Sequence, residues 1–246
     1  MSTAAPRVRG VDDSRAVPRR SRSDSARRRS RRRLVLLAVG SLLFGGLAVA
    51  ASQANLLPGD LEIARAVQTV HGPWIEMPLW ALSAIGFPPI VGLLYGAIAA
   101  SIFVSGARRE GTMAAIATSG AAGLHRLIVE IVQRSRPTPE LLEVAHRLPI
   151  HSSFTAGHVQ NVTSFFGFLV YLVAVRLAPS WKRTLLLSLL LFAIVGMGVA
   201  RVYFGEHWPT DVLGGYLLGL LWLIVVIEVY ERWLGRSTRR DRFRAE

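Results

Sequence analysis

The chain has 246 residues, 51% of them hydrophobic, and a formal net charge of +13. A sequence this apolar is not disordered throughout, and the absence of Cys excludes a disulfide scaffold, a thiolate metal site and a Cys nucleophile. The basic excess sits in tails rather than on an amphipathic face, so no nucleic-acid partner is expected.

Residues 1–33 hold twelve Arg and three Asp and read as a disordered cytoplasmic tail. Residues 34–231 are charge-balanced, with eleven basic and eleven acidic residues, and read as one membrane domain. Residues 232–246, with six Arg and two acids, form a second basic cytoplasmic tail. No internal repeat and no second folded domain is evident.

A membrane helix needs about 20 mostly apolar residues. Six stretches fit. The first runs from Leu34 to about Ala51 and reads as a retained helix rather than a cleaved signal, because its charged lead is long. Pro73–Ile85 reads as an interfacial helix, and the second span starts near Phe87 and ends at Ala107. The third, Gly111–Leu124 and onward through His125, Arg126 and Glu130, is the least apolar, but its Ala and Gly suit close helix packing. Val159–Val175, Thr184–Ala200 and Val212–Ile227 complete the set. The predicted fold class is all-α: an integral membrane six-helix bundle.

Six spans put both Arg-rich tails on one side, together with Arg108, Arg109, Arg176, Lys182 and Arg183. Basic residues favour the cytoplasmic side, so both termini are expected in the cytoplasm of a multi-pass plasma-membrane protein. The first opposite loop, with Asp60, Glu62, Arg65 and Glu76, is net acidic. Six Trp fall mostly near span ends, as an interfacial belt would.

Ionisable groups at the edge of a bilayer are costly and point to function. In this topology they converge on the outer face: Arg134 and Arg136 after the third span, Gly157 and His158 at the start of the fourth, Arg201 at the end of the fifth, and His207 and Asp211 at the start of the sixth. Guanidinium groups hold a phosphate bidentately, and the helix start at Gly157 offers backbone N–H groups to an anion. A neutral His can attack phosphorus if a carboxylate takes its other ring N–H, and Asp211 stands one turn after His207. A second His can protonate the leaving group. No metal and no cofactor is called for, because the arginines meet the charge.

These residues resemble the motifs of the type 2 phosphatidic acid phosphatase / vanadium haloperoxidase superfamily, K-x6-R-P, P-S-G-H and S-R-x5-H-x3-D. The third stands as ARVYFGEHWPTD, with Arg201, His207 and Asp211 in place and Ala200 for the leading Ser. The second stands as TAGH, with Thr155 and Ala156 before Gly157 and His158, and the first as RSRP, with Arg136 and Pro137 but Val129 where the Lys belongs. The resemblance covers roughly residues 70–230. It implies that His207 is the nucleophile, Asp211 its orienting partner, His158 the general acid, and Arg136, Arg201 and Gly157 the phosphate cradle. Val129 and Ala156 thin that cradle, and one lost donor of this kind costs about 2.7–4 kcal/mol of transition-state stabilisation.

Arg126, three residues before Val129, is a candidate to replace the missing cation, the alternative being a structural pair with Glu130, and Arg134 is another candidate for a substrate phosphate contact at the rim. His125 reads as a packing residue and His71 as a solvated one, while His146 and His151, in the long Thr138–Thr155 loop, lie within reach of a headgroup but rate low as ligands. The implied activity is hydrolysis of a lipid phosphate or diphosphate, whether polyprenyl diphosphate, phosphatidylglycerophosphate or phosphatidic acid. Phosphoryl transfer to an acceptor, or a weakened relative kept for lipid binding, are the alternatives. The expected partners are the lipid substrate and the bilayer.

Overall fold

The structure, a computed structural model, describes residues 19–145 and 152–245. Among the described residues there are eight helices and no strand: α1 (Arg19–Gln53), α2 (Asp60–Gln68), α3 (Pro73–Ala84), α4 (Pro88–Val104), α5 (Arg108–Ile131), α6 (Gly157–Arg176), α7 (Trp181–Tyr203) and α8 (Pro209–Ala245). The chain divides into two units, Met1–Ala38 and Val39–Glu246. In the first, helix begins at Arg19, well ahead of the apolar run at Leu34. Arg propagates a helix nearly as well as Leu, so the charge run ends hydrophobicity without ending the helix. The same holds at the other end, where α8 continues to Ala245.

Arg28–Gln53, Gly157–Arg176, Trp181–Tyr203 and Pro209–Gly235 are long and apolar enough to cross a membrane. A fifth candidate is the pair Pro73–Ala84 and Pro89–Val104, bent by 68°. The bend follows from sequence: Gly86 ends one helix and two prolines open the next, where a missing N–H costs nothing. By length α5 also suffices, at about 36 Å. Its composition does not, because Arg108, Arg109 and Glu110 occupy one end and His125, Arg126 and Glu130 the other. Leu42, Leu93, Val104, Leu189, Phe192 and Leu213 are exposed, an apolar surface that suits lipid rather than water. Trp74, Trp80 and Trp181 are exposed as well.

Within the second unit α6 is the central helix, packed against α5, α7 and α8. Val159, Val162, Phe165 and Phe168 are fully buried, and Phe165 stacks on Tyr95 of α4 at 4.3 Å between ring centroids. A side chain at Gly215 would lie 2.7 Å from the Ala156 carbonyl oxygen, and one at Gly219 2.8 Å from that of Gln160. These α8 glycines let the α6 and α8 backbones touch, as small residues do in membrane bundles. At the end of the bundle remote from the predicted site, Glu110 of α5 accepts from Tyr230 of α8 at 2.7 Å and pairs with Arg176 of α6.

Candidate active site

The ends of α5, α6, α7 and α8 meet through short connections. After α5, the Arg134 carbonyl accepts from Ser153 N at 2.8 Å, which seats segment 132–136 beside the lead into α6. After α7, Gly205 adopts φ +59, a left-handed turn that suits glycine, and Glu206 N and His207 N both return to the Arg201 carbonyl. His207 is thereby delivered just before α8, and Trp208 anchors the turn by donating its indole N–H to Ser135 O at 3.0 Å.

His207 is buried at 2% exposure. Its Nδ1 lies 2.7 Å from the Ser153 carbonyl oxygen, so Nδ1 carries the proton and Nε2 presents its lone pair. Arg136 Nη1 stands 3.2 Å from that Nε2 and also donates to the Glu206 carbonyl at 2.6 Å. Burial first, then the positive charge of Arg136, the neighbouring His158 ring and the charge of Arg201, hold the His207 ring well below its usual pKa, against a smaller upward effect of the Ser153 bond. The imidazole is therefore neutral. Burial also lowers Arg136, but Asp211 and Glu206 oppose that, and a guanidinium stays charged in either case.

Across the pocket, His158 stands in the first turn of α6, edge-on to Phe87. Its Nε2 is buried with no hydrogen-bond partner among the described residues. Gly86 makes room for the ring: a Cβ there would come within 2.6 Å of His158 Cδ2. The α6 N-terminus beside it, with Ala156 as N-cap, has no side-chain cap, so its first amides and the positive end of the helix dipole remain available to an anion.

Arg201 is fully buried. It pairs with Glu206 and donates to Ser83 of α3, while its Nε has no partner among the described residues. The expected phosphate ligand is thus already engaged by a neighbouring carboxylate, and an entering anion meets Arg201 in competition with Glu206.

Three expectations need correction. Asp211 does not hold the His207 ring directly: its Oδ2 is 3.9 Å from Nδ1, beyond a hydrogen bond. Asp211 instead accepts from Ser153 Oγ and from Trp208 N at 2.9 Å, so it orients the histidine through the Ser153 backbone and also caps α8. Arg134 is no rim residue. Its guanidinium is fully buried, 2.5 Å from both Asp60 and Asp211, with Thr210 Oγ1 at 2.7 Å. Two carboxylates exhaust its charge, and Asp60 in turn receives Thr210 N at the head of α8. Arg126 is exposed, and no hydrogen bond or ion pair among the described residues joins it to either site histidine or to Glu130. One residue is about 100° of helical turn, and His125, not Arg126, faces the site: a Cβ on Gly157 would lie 2.6 Å from His125 Nε2.

Sequence reasoning missed Asp60, Ser153, Glu206, Ser83 and the orientation of His125. Glu206, adjacent to His207, was the most findable, while Asp60 read only as part of an acidic loop. His71 is exposed, and His146 and His151 lie outside the described residues. Among the described residues no group of three or more His, Asp or Glu is arranged to hold a metal ion.

The model of the PAP2 superfamily matches residues 111–234, which include every helix end that builds this pocket apart from the α3–α4 bend. The chain belongs to the PAP2 superfamily. Among PAP2 relatives, phosphatidylglycerophosphatase B of Bacillus subtilis is 26% identical over 190 residues, covering 76% of this chain and 92% of that protein. Decaprenylphosphoryl-5-phosphoribose phosphatase of Mycobacterium tuberculosis is 27% identical over 163 residues, covering 65% of this chain and 85% of that protein. The PAP2 fold itself recurs in the crystal structure of the transmembrane PAP2-type phosphatidylglycerolphosphate phosphatase of Bacillus subtilis, at TM-score 0.69 and 24% identity, covering 80% of this chain and 96% of that one. It recurs more distantly in Aquifex aeolicus LpxE, at TM-score 0.55 and 18% identity, covering 70% of this chain and 96% of that one.

Proposed function

We propose that the chain is a membrane-embedded lipid-phosphate phosphatase that works through a phosphohistidine. The observation that carries this is the paired state of the two histidines: His207 neutral, with Nδ1 given to Ser153 O and Nε2 presented, opposite a buried His158 Nε2 that has no partner among the described residues.

The steps balance as follows. Phosphate oxygens dock on Arg136, on the free Nε of Arg201 and on the first amides of α6. His207 Nε2 attacks phosphorus, and the bond from phosphorus to the lipid oxygen breaks. His158 Nε2 gives its proton to that oxygen, so a neutral lipid alcohol leaves. Water, deprotonated by the now neutral His158, attacks the phosphohistidine, the P–N bond breaks, and inorganic phosphate departs with His207 restored. Ser153, held by Asp211, keeps the His207 ring in one tautomer throughout.

Six spans, cytoplasmic tails and a pocket on the outer face accord with the Arg-rich ends and with α5 packed inside the bundle between α4, α6 and α8. Phosphatidylglycerophosphate is the first substrate to test, because phosphatidylglycerophosphatase B is the relative covered over 92% of its length. A phosphorylated polyprenyl carrier is the second. The test is phosphate release by purified protein in detergent over a panel of lipid mono- and diphosphates. Release should be abolished in His207→Ala and reduced by about 10²–10⁴ in His158→Ala. Wild-type release from His207→Ala refutes the mechanism.

A further inference from the structure

His125 plays no part in the steps above, yet its ring covers the head of α6. Its Nε2 lies against Gly157, so close that a Cβ there would stand 2.6 Å away. On the other side of the ring, Nδ1 is 3.4 Å from Thr155 Oγ1. The protons along this side can be assigned. Gln160 Nε2 donates to the Ala121 carbonyl at 2.9 Å, which turns Gln160 Oε1 towards Thr155. Thr155 Oγ1 stands 3.2 Å from that oxygen and has a single proton, which Oε1 can only accept. Thr155 Oγ1 therefore receives from His125, so Nδ1 carries the hydrogen. Nε2 is left with a bare lone pair beside the uncapped amides of Gly157 and His158.

A lone pair repels the oxygen of a phosphate dianion. An anion seated on the α6 amides meets His125 only if one proton lies between them, on the phosphate as P–OH or on Nε2 as N–H. Both descriptions count the same proton. The charged or titratable groups that face His125 are Arg136, beyond the end of its own helix, and His158 on α6. Of the other helices packed on α5, α4 brings only Tyr95, which stacks on Phe165, and the α8 carboxylate Asp211 is taken by Arg134 and Ser153. Among the described residues no carboxylate competes for the proton.

We propose that His125 is a phosphate ligand of this site that shares one proton with the bound anion, standing where the Val129 face of α5 supplies no cation. The proposal rests on the phosphatase reading and adds to it a substrate preference for the singly protonated phosphate. His125 and Val129 are one helical turn apart on the same face of α5, so the ring reaches the α6 head from the side that a longer cation at 129 would use.

The test measures binding of inorganic phosphate to the purified full-length protein in detergent, from the thermal shift between pH 6 and pH 9. His158 and His207 also face the anion, so the readout is the difference between variants. Above the second pKa of the phosphate, one shared proton raises Kd about tenfold per pH unit. His125→Gln donates without titrating: the slope of log Kd against pH should fall by one, with binding weakened at pH 6. His125→Lys brings its own proton: the slope should again fall by one, with tighter binding than wild type at pH 9. Unfolding midpoints without phosphate show whether each variant is folded, and the lysine variant decides if the glutamine variant is not. Equal slopes in wild type and a folded variant overturn the assignment of His125. If wild type then still releases phosphate from lipid and His207→Ala does not, the phosphatase reading survives. A wild type that binds no phosphate at any pH also overturns the assignment of His125, and release from lipid again decides the phosphatase reading.

Discussion

Replacing Arg134 with Met asks whether this guanidinium holds the site together or touches the substrate. It is buried between Asp60 and Asp211 at 2.5 Å from each, with Thr210 Oγ1 and Asn55 O on further N–H groups. Met keeps the apolar stem and removes the charge. Removing one partner of a buried ion pair costs about 3–5 kcal/mol. Both carboxylates keep other donors: Asp60 has Thr210 and Leu57 N, and Asp211 has Ser153 and Trp208 N. Those bonds put the expected loss at the lower end, about 3 kcal/mol, or roughly a hundredfold in the folding equilibrium. The assay is reversible unfolding in mixed micelles, with hydrolysis measured in parallel. The variant should unfold earlier and lose kcat with little change in KM. Adding Asp60→Asn should restore part of the stability, because the two residues are directly coupled. Wild-type stability with a raised KM would mean that Arg134 binds substrate, and this account of the network would be wrong.

The pH profile follows from His207. Its folded pKa is lowered, so the neutral nucleophile persists as pH falls through the ordinary 6.5, and kcat/KM should keep that group's acid limb well below this value. The same shift makes folding stability decline as pH falls from 6.5 towards the folded pKa, since only the unfolded chain takes up the proton there. An acid limb at 6.5 or above that persists in His158→Ala, which retains measurable turnover, would contradict the burial argument. Gly86→Ala should displace the His158 ring, because the new methyl would sit 2.6 Å from Cδ2 and 3.1 Å from Met197 Cε. A fall in kcat of about 10² is expected, in line with the loss of a positioned general acid. Unchanged turnover would show that His158 is not held where its proton matters.

The helices at the functional end were legible because long apolar runs broken by charge leave few choices: α6 and α7 begin and end close to where hydropathy places them, and α8 begins there but runs on to Ala245. Composition served α5 poorly. Its polar ends mask a helix whose Ala and Gly bury Ala114, Ala117 and Ala121 against neighbours. The residues meeting at the pocket could be collected from spacing, but their pairings could not. Asp211 is one turn from His207 on any helical reckoning, yet α8 begins between them, at Pro209, and the intervening turn points the carboxylate at Ser153. Arg134 and Arg136 stand two apart in one irregular connection, yet Arg134 pairs with Asp60 and Asp211 while Arg136 reaches His207. Arg126 and His125 differ by a single helical step, and the register of α5 against α6 decides which enters. Each of these is set by tertiary contact, to which sequence pattern is blind.

The glycine seam between α6 and α8 has a mechanical consequence. Backbones in contact cannot slide or part without opening a void, so the two helices that carry His158 and His207 behave as one stiff jaw. Across the pocket stands the bent α3–α4 pair, whose two arms meet at 68° and whose Gly86 lies against the His158 ring. A change in the angle of that bend would reshape the mouth of the pocket without altering the spacing that the seam imposes on α6 and α8.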